Sequence, residues 1–266
     1  MKRWQSSRHI ATLAWVAVMI VLWESGAWFL QNVLHDNMQV QKLPYFHQVM
    51  STFFTHFGSL FADAMLTLSR AATGFVCGAA AGIAVAIVMR FSRFIGEMIF
   101  PYLIVLRMLP VLALAPIIYS IVKSQDAARI VLAAFITFFP VAVNMYSGLK
   151  SVDRDKLDLI YSYAASKRET YCKLMIPSSL PDLFAGLKIA APSAITAAIL
   201  VEMFGADAGI GIKILNSLYY GASSALMFWA SVLTAALLGI FGYAVIYFLE
   251  KMLMPWQKAD GKEEAH

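Results

Sequence analysis

Charge and cysteine are both scarce in this sequence. Only 14% of its 266 residues are charged and 60% are hydrophobic, whereas soluble domains carry about 25% charged and roughly 45–50% apolar residues. A larger core cannot absorb the excess, because the apolar residues come in long uncharged runs. Ala71 to Met89 holds no charge at all, and neither does Met227 to Leu249. Such runs match the roughly 20 apolar residues that a helix needs to span the hydrocarbon layer. The two cysteines, Cys77 and Cys172, lie on an apolar helix and in a polar loop. They form no CxxC or metal pattern, and a disulfide between them is not expected.

Several chemical signatures are also missing. Gly261-Lys262 is followed by Glu263, and no G-x-x-x-x-G-K-[ST] phosphate loop occurs. The chain therefore cannot hold ATP in that way. There is no H-E-x-x-H, no histidine cluster within the apolar runs and no G-x-S-x-G, which argues against an intramembrane enzyme and against a bound metal. No internal repeat is visible, which argues against a secondary transporter built from inverted repeats. The net charge of +5 and pI near 9.1 would suggest nucleic acid in a soluble protein. Here the basic residues gather at the ends of apolar runs, as in membrane proteins, and no nucleic-acid partner is expected.

What is present is a series of apolar helices, predicted near 10–30, 66–90, 98–122, 128–149, 184–204 and 227–250. The fold class is thus all-α: a polytopic membrane protein of about six transmembrane helices. Pro101, Pro110, Pro116, Pro140 and Pro192 fall inside these spans and predict kinks, which bundles tolerate when neighbours satisfy the freed carbonyls. Lys2, Arg3 and Arg8 precede the first run, but Ile10 to Leu30 is longer than a signal-peptide core and no clear cleavage site follows. An uncleaved first helix is the better reading. Threading six helices with the N-terminus inside puts 14 basic residues on the cytoplasmic side and about five outside, so both termini are expected to be cytoplasmic.

Two connections are long. Residues 31–65 mix aromatic and polar residues and predict an outer interfacial helix. Residues 150–183 lie inside and hold the densest charge in the chain. Ser166-Lys167-Arg168-Glu169 has the form of a capping box. A short helix should run from it to about Met175, stopped by Pro177 and Pro181, and another should occupy Asp155 to Ala164. Tyr171, Leu174 and Met175 share a helical spacing that would suit an apolar contact with a partner, with Lys167, Arg168 and Lys173 as a charged rim.

Within the spans, Gly74, Gly78 and Gly82 recur on one face, a spacing that lets helix backbones approach closely in lipid. Arg107 falls inside the third span. It either meets an anionic substrate or caps carbonyls freed by Pro110, and in both cases should face protein or water. Glu24 and Glu202 pose the same question. Glu202 opens the segment Glu202-Met-Phe-Gly-Ala-Asp-Ala-Gly209-Ile-Gly211, which reads as an outer turn where a charge can simply be solvated.

The cytoplasmic segment Asp158 to Pro181, DLIYSYAASKRETYCKLMIPSSLP, resembles the EAA loop of ATP-binding-cassette importer permeases. That motif has a Glu-Ala-Ala start, a turn glycine and a hydrophobe-x-Leu-Pro end. Asp158 takes the glutamate position, Ala164 the glycine position, Leu174 and Ile176 the hydrophobe and leucine positions, and Pro177 the proline position. Ala165-Ser166, Pro181 and Gly186-Leu187-Lys188-Ile189-Ala190 also match. Leu159 and Ile160 replace the alanines, and Ala164 replaces glycine, so the turn is expected to be tighter or more helical than usual. The resemblance runs from the second span to Trp256 and includes Arg107-Met-Leu-Pro110 and Val201-Glu202-Met203. It is most similar to the nitrate, sulfonate, taurine and bicarbonate branch, which includes vitamin-precursor importers.

The resemblance implies a type I importer permease in the bacterial inner membrane. It implies an N-terminal helix with an outer interfacial segment over 1–65, a permease core over 66–256 with its coupling loop at 150–183, and a disordered tail over 257–266. Its implied partners are cytoplasmic ATPase subunits holding ATP and Mg, a second permease copy or close paralogue, an extracytoplasmic substrate-binding protein and the lipid bilayer. The chain itself would bind no cofactor. The loop from Asp158 to Pro177 would couple to the ATPase, and Arg107 and Glu202 are candidate groups of the substrate pathway.

Overall fold

In the computed structural model, residues 2–205 and 207–255 are described. The expected tail over 257–266 lies outside them. The described chain is helical: α1 (Lys2–Asn32), α2 (Gln39–Lys42), α3 (Phe46–Thr55), α4 (Phe57–Phe91), α5 (Arg93–Arg107), α6 (Val111–Val122), α7 (Gln125–Lys150), α8 (Arg154–Ser162), α9 (Lys167–Glu169), a π-helical turn (Thr170–Met175), α10 (Ile176–Glu202), α11 (Ile210–Tyr219), a 3-10 turn (Gly221–Ser224) and α12 (Ala225–Leu253). Among the described residues, five stretches are long and apolar enough to cross a membrane: Ala14–Asn32, Phe57–Phe91, Asp126–Lys150, Lys167–Glu202 and Ala225–Leu253.

The third expected crossing is broken in two. The helix expected over 98–122 is interrupted at 108–110, between α5 and α6. Pro110 is the cause. It has no N–H to continue the ladder, and its ring disfavours helical backbone at the preceding residue; Pro110 itself sits extended at ψ 109. That α5 and α6 still traverse the bilayer follows from how α4 and α7 pack. A Cβ built on Gly74 would lie 2.6 Å from the Ile130 carbonyl oxygen, one on Gly78 would collide with the Ala134 carbonyl, and one on Gly82 would lie 2.8 Å from the Phe138 carbonyl oxygen. Contacts advance along both helices together, so α4 and α7 run parallel. The chain between them must therefore return across the full thickness.

These glycines bring the two backbones into contact, which in lipid replaces the hydrophobic drive of soluble cores. α10 packs antiparallel to α7, with Gly186 against the Pro140 carbonyl and Asn144, and Gly148 against Ser179 and Asp182. α12 runs antiparallel to α10, joined by Lys188 Nζ to Glu250 at 2.8 Å. The inner half of the bundle centres on Met89, Met145, Leu149 and Met175, and the outer half on Leu60, Ile195, Ile210 and Ala230.

The outer segment holds two helices rather than one. α4 then begins at Phe57 and runs through the boundary expected at residue 65. The described side chains of α1 are mostly exposed, and the helix is held near Trp23 and Glu24. Trp23 Nε1 donates to the Pro44 carbonyl at 2.7 Å and the ring meets Trp229 edge-on, while Glu24 accepts from His47 N–H at 3.1 Å. In the outer loop, the Lys42 ammonium and the Met38 N–H hold the Asp36 carboxyl below its ordinary value.

Candidate functional site

The loop expected on the cytoplasmic side is a folded knob. Asp153 caps α8, accepting from Asp155 N–H at 3.1 Å. Ala164 follows α8 with φ +54°, its N–H donating to the Tyr161 carbonyl and the Ala165 N–H to the Ile160 carbonyl. This is a Schellman C-cap, whose left-handed residue is normally glycine because a Cβ costs roughly 1–2 kcal/mol there. The turn is thus the left-handed one a glycine would make, and not the tighter or more helical one expected from an alanine. Ser166 then caps α9 reciprocally: its Oγ accepts from Glu169 N–H at 3.3 Å, and Glu169 Oε2 accepts from Ser166 N–H at 3.0 Å.

The helix starting at Ser166 does not stop at Pro177. It passes through the π-turn into α10 and ends at Glu202. Proline cannot donate to the carbonyl four residues back, and its ring crowds that carbonyl. One wider turn, with Ile176 N–H bonded to the Tyr171 carbonyl, absorbs the misfit without ending the helix. A continuous helical element therefore leads from the knob into the bundle.

Asp158, Lys167 and Arg168 are exposed, Ala165 and Pro177 are half-buried, and Lys173 pairs with Glu169 at 2.9 Å. Tyr171, Leu174 and Met175 do not form a free apolar surface. Met175 is buried in the inner core, Leu174 is half-buried, and Tyr171 stacks on Phe91 at 5.0 Å, its hydroxyl donating to the Arg90 carbonyl at 3.4 Å. Arg90 Nε in turn donates to the Leu149 carbonyl at 3.1 Å. The wide π-turn directs these side chains toward the feet of α4 and α7. The exposed apolar groups of the knob are instead Leu159, Tyr161 and Tyr163, at 59%, 57% and 77% accessibility. Sequence reading missed them, although large apolar residues on a short helix rich in charge were a signal.

Arg107 ends α5 and lines a cleft of about 420 Å³ between α5, α7 and α10. It caps no carbonyl freed by Pro110: Leu109 N–H donates to the Leu106 carbonyl at 3.2 Å. A central arginine costs about 2.5–3.5 kcal/mol on insertion scales, and no carboxylate among the described residues pairs with this one.

Glu202 lies away from that cleft, and it is not solvated as a surface turn would be. It is fully buried. Its carboxylate accepts from Thr67 Oγ1 at 2.9 Å, Gly211 N–H at 2.9 Å and Arg70 at 3.3 Å. It caps the positive end of α11. A Cβ on Gly209, at φ +129°, would lie 2.5 Å from this carboxyl. Arg70 also pairs with Asp126 at 2.9 Å, and Lys213 with Asp63. Asp63, Thr67 and Arg70 recur at helical spacing, a polar stripe that the sequence displayed and that was not recognised as a partner for Glu202.

The parallel α4–α7 pair, the divided third crossing and the capped knob define a polytopic helical membrane protein. Comparison with known proteins agrees. Residues 78–258 match the family model described as "Binding-protein-dependent transport system inner membrane component". The chain is 33% identical over 213 residues to the formylaminopyrimidine transport permease protein ThiX of Halalkalibacterium halodurans, covering 78% of this chain and 80% of that one. It is 31% identical over 172 residues to the nitrate import permease protein NrtB of Synechococcus elongatus, covering 64% and 61%. The solved MetNI methionine ABC transporter, in inward-facing conformations, shares the fold at TM-score 0.62 and 16% identity over 76% of this chain and 97% of that one. The chain belongs to the binding-protein-dependent transport system inner membrane component family of ABC importer permeases.

Proposed function

We propose that the chain forms the translocation pathway of an ABC importer for a small solute of the sulfonate, nitrate, taurine or vitamin-precursor class. The names of its relatives, for formylaminopyrimidine and nitrate transport among them, support that range. Two permease subunits, identical or closely paralogous, sit in the inner membrane with both termini cytoplasmic. A separate ATPase pair holds ATP and Mg, and an extracytoplasmic binding protein delivers the solute.

One observation carries this reading: from Lys167 the knob continues as one helical element into α10, whose Ser193 and Thr196 line the cleft with Arg107. Leu159, Tyr161 and Tyr163 offer the ATPase an apolar contact, with Asp158, Lys167 and Arg168 beside it. Tyr171, Leu174 and Met175 tie the knob to α4 and α7. ATP binding favours one orientation of the knob, and α10 carries that preference to the cleft, which biases the two access states. Arg107 belongs to the pathway, and Glu202 braces its outer wall.

The test is co-purification with an ABC ATPase expressed from the same strain, together with cysteine labelling from outside in intact cells. The reading expects a stable complex, with labelling near Asp36 and Lys213 and none near Arg154. Outside labelling at Arg154, or no ATPase in the complex, would contradict it.

A further inference from the structure

Among the described residues, several basic side chains within the bundle are ion-paired. Arg70 and Arg129 meet Asp126 at 2.9 and 2.6 Å, and Lys188 meets Glu250 at 2.8 Å. Arg107, on the wall of the cleft, has no hydrogen-bond or carboxylate partner among the described residues. The cleft walls beside it are the rings of Phe135 and Phe139, packed edge to face at 4.8 Å, and the α10 face bearing Pro192, Ser193 and Thr196. Both hydroxyls donate to carbonyls of their own helix, Ser193 to Ile189 at 2.8 Å and Thr196 to Pro192 at 3.0 Å. They place no second charge in the cleft. Phe135 and Phe139 sit near the middle of α7, each at least about 15 Å from either end at 1.5 Å rise per residue. That depth is far from lipid headgroups.

An exposed guanidinium without a partner among the described residues, on the wall of an apolar cleft of about 420 Å³, is matched by a ligand with one anionic group and an apolar body. Guanidinium binds planar or tetrahedral oxyanions through two parallel N–H bonds, and small-molecule sites occupy roughly 300–1,000 Å³ with few polar groups fixing orientation. A bare inorganic oxyanion would engage Arg107 and leave the aromatic wall unused. A neutral solute would leave Arg107 unmatched. We propose that this cleft selects an organic oxyanion, a sulfonate or carboxylate, with Arg107 taking the charged group and Phe135 and Phe139 the carbon body. This rests on the transport reading above and narrows its solute class. An anionic phospholipid headgroup offers the same charge chemistry, and depth argues against it.

The test is charge-selective labelling in vesicles. In a Cys77→Ser, Cys172→Ser background, Thr196→Cys is reacted with sulfonatoethyl and with trimethylammonioethyl methanethiosulfonate, each rate normalised to a free thiol. The permease is reconstituted in phosphatidylcholine. The anionic reagent should react several-fold faster, Arg107→Met should abolish the preference, and Arg107→Lys should retain part of it. Butanesulfonate should slow the anionic reagent, and nitrate at equal concentration should not. Equal rates in the parent, no reaction with either reagent, or a preference that survives Arg107→Met would overturn the proposal. Equal protection by nitrate would overturn its organic part. Slowing by added phosphatidylglycerol, without protection by butanesulfonate, would assign Arg107 to lipid and also overturn it. The labelling needs neither ATPase nor binding protein, so its failure is distinct from failure of the coupling reading.

Discussion

Ala164 occupies a backbone position that suits glycine. Its φ of +54° closes the Schellman cap between α8 and α9, and the Cβ costs roughly 1–2 kcal/mol there. Ala164→Gly should therefore stabilise the knob by about 1 kcal/mol, partly offset by the greater freedom of glycine in the unfolded chain. Slower amide exchange over 154–166 would register it; faster exchange would place the strain elsewhere. Glu202 makes the opposite case. Its carboxylate joins α4, α10 and α11, and removing one partner of a buried charged pair costs roughly 3–5 kcal/mol. Asp126 still holds Arg70, so Glu202→Ala should fall at the low end of that range. Thermal unfolding in detergent should shift downward, with a smaller shift for Glu202→Gln. Unchanged stability with lost transport would instead make Glu202 a pathway residue.

At the scale of elements, the π-turn is the feature with most consequence. It lets the knob and α10 form one lever in spite of Pro177. Inserting two glycines after Met175 should break that continuity while leaving both caps of the knob intact. ATPase binding should survive, and transport should fall strongly. Transport at the parent rate would mean that force enters the bundle by another route. Sequence periodicity revealed most of the helices here, because 20-residue apolar runs have few alternatives. It revealed the capping box at Ser166, since that pattern is local. It did not reveal the break at 108–110, where hydropathy alone is continuous through Leu109 and Val111. Nor did it reveal the burial of Glu202, because its partners lie on α4, 135 and 132 positions away at Thr67 and Arg70. Proline read as a stop at Pro177 and as a kink at Pro110, and the structure reverses the two. Whether neighbouring backbone can shift to a wider turn decides such cases, and no local pattern encodes it.

For the whole molecule, the account is one of transmission. In the proposed function, the exposed apolar patch of Leu159, Tyr161 and Tyr163 would meet the motor, the helix from Lys167 to Glu202 would carry its movement into the bundle, and the cleft with Arg107 lies along that helix. The ion pairs around Arg70 and Glu202 and the glycine-packed α4–α7 pair would hold the remainder against that movement. The most direct measurement is ATP hydrolysis by the reconstituted complex, with and without solute-loaded binding protein, for Ala164→Asp beside Ala164→Gly. Aspartate tolerates the left-handed backbone better than most residues, so the fold of the turn should persist while a charge is set beside the apolar patch of Tyr161 and Tyr163. Ala164→Asp should insert normally, lose the ATPase on pull-down and show no stimulated hydrolysis, whereas Ala164→Gly should be fully coupled. Full stimulation of hydrolysis in the Ala164→Asp protein would contradict it and would move the motor contact to the α4–α5 junction at Arg90–Glu97.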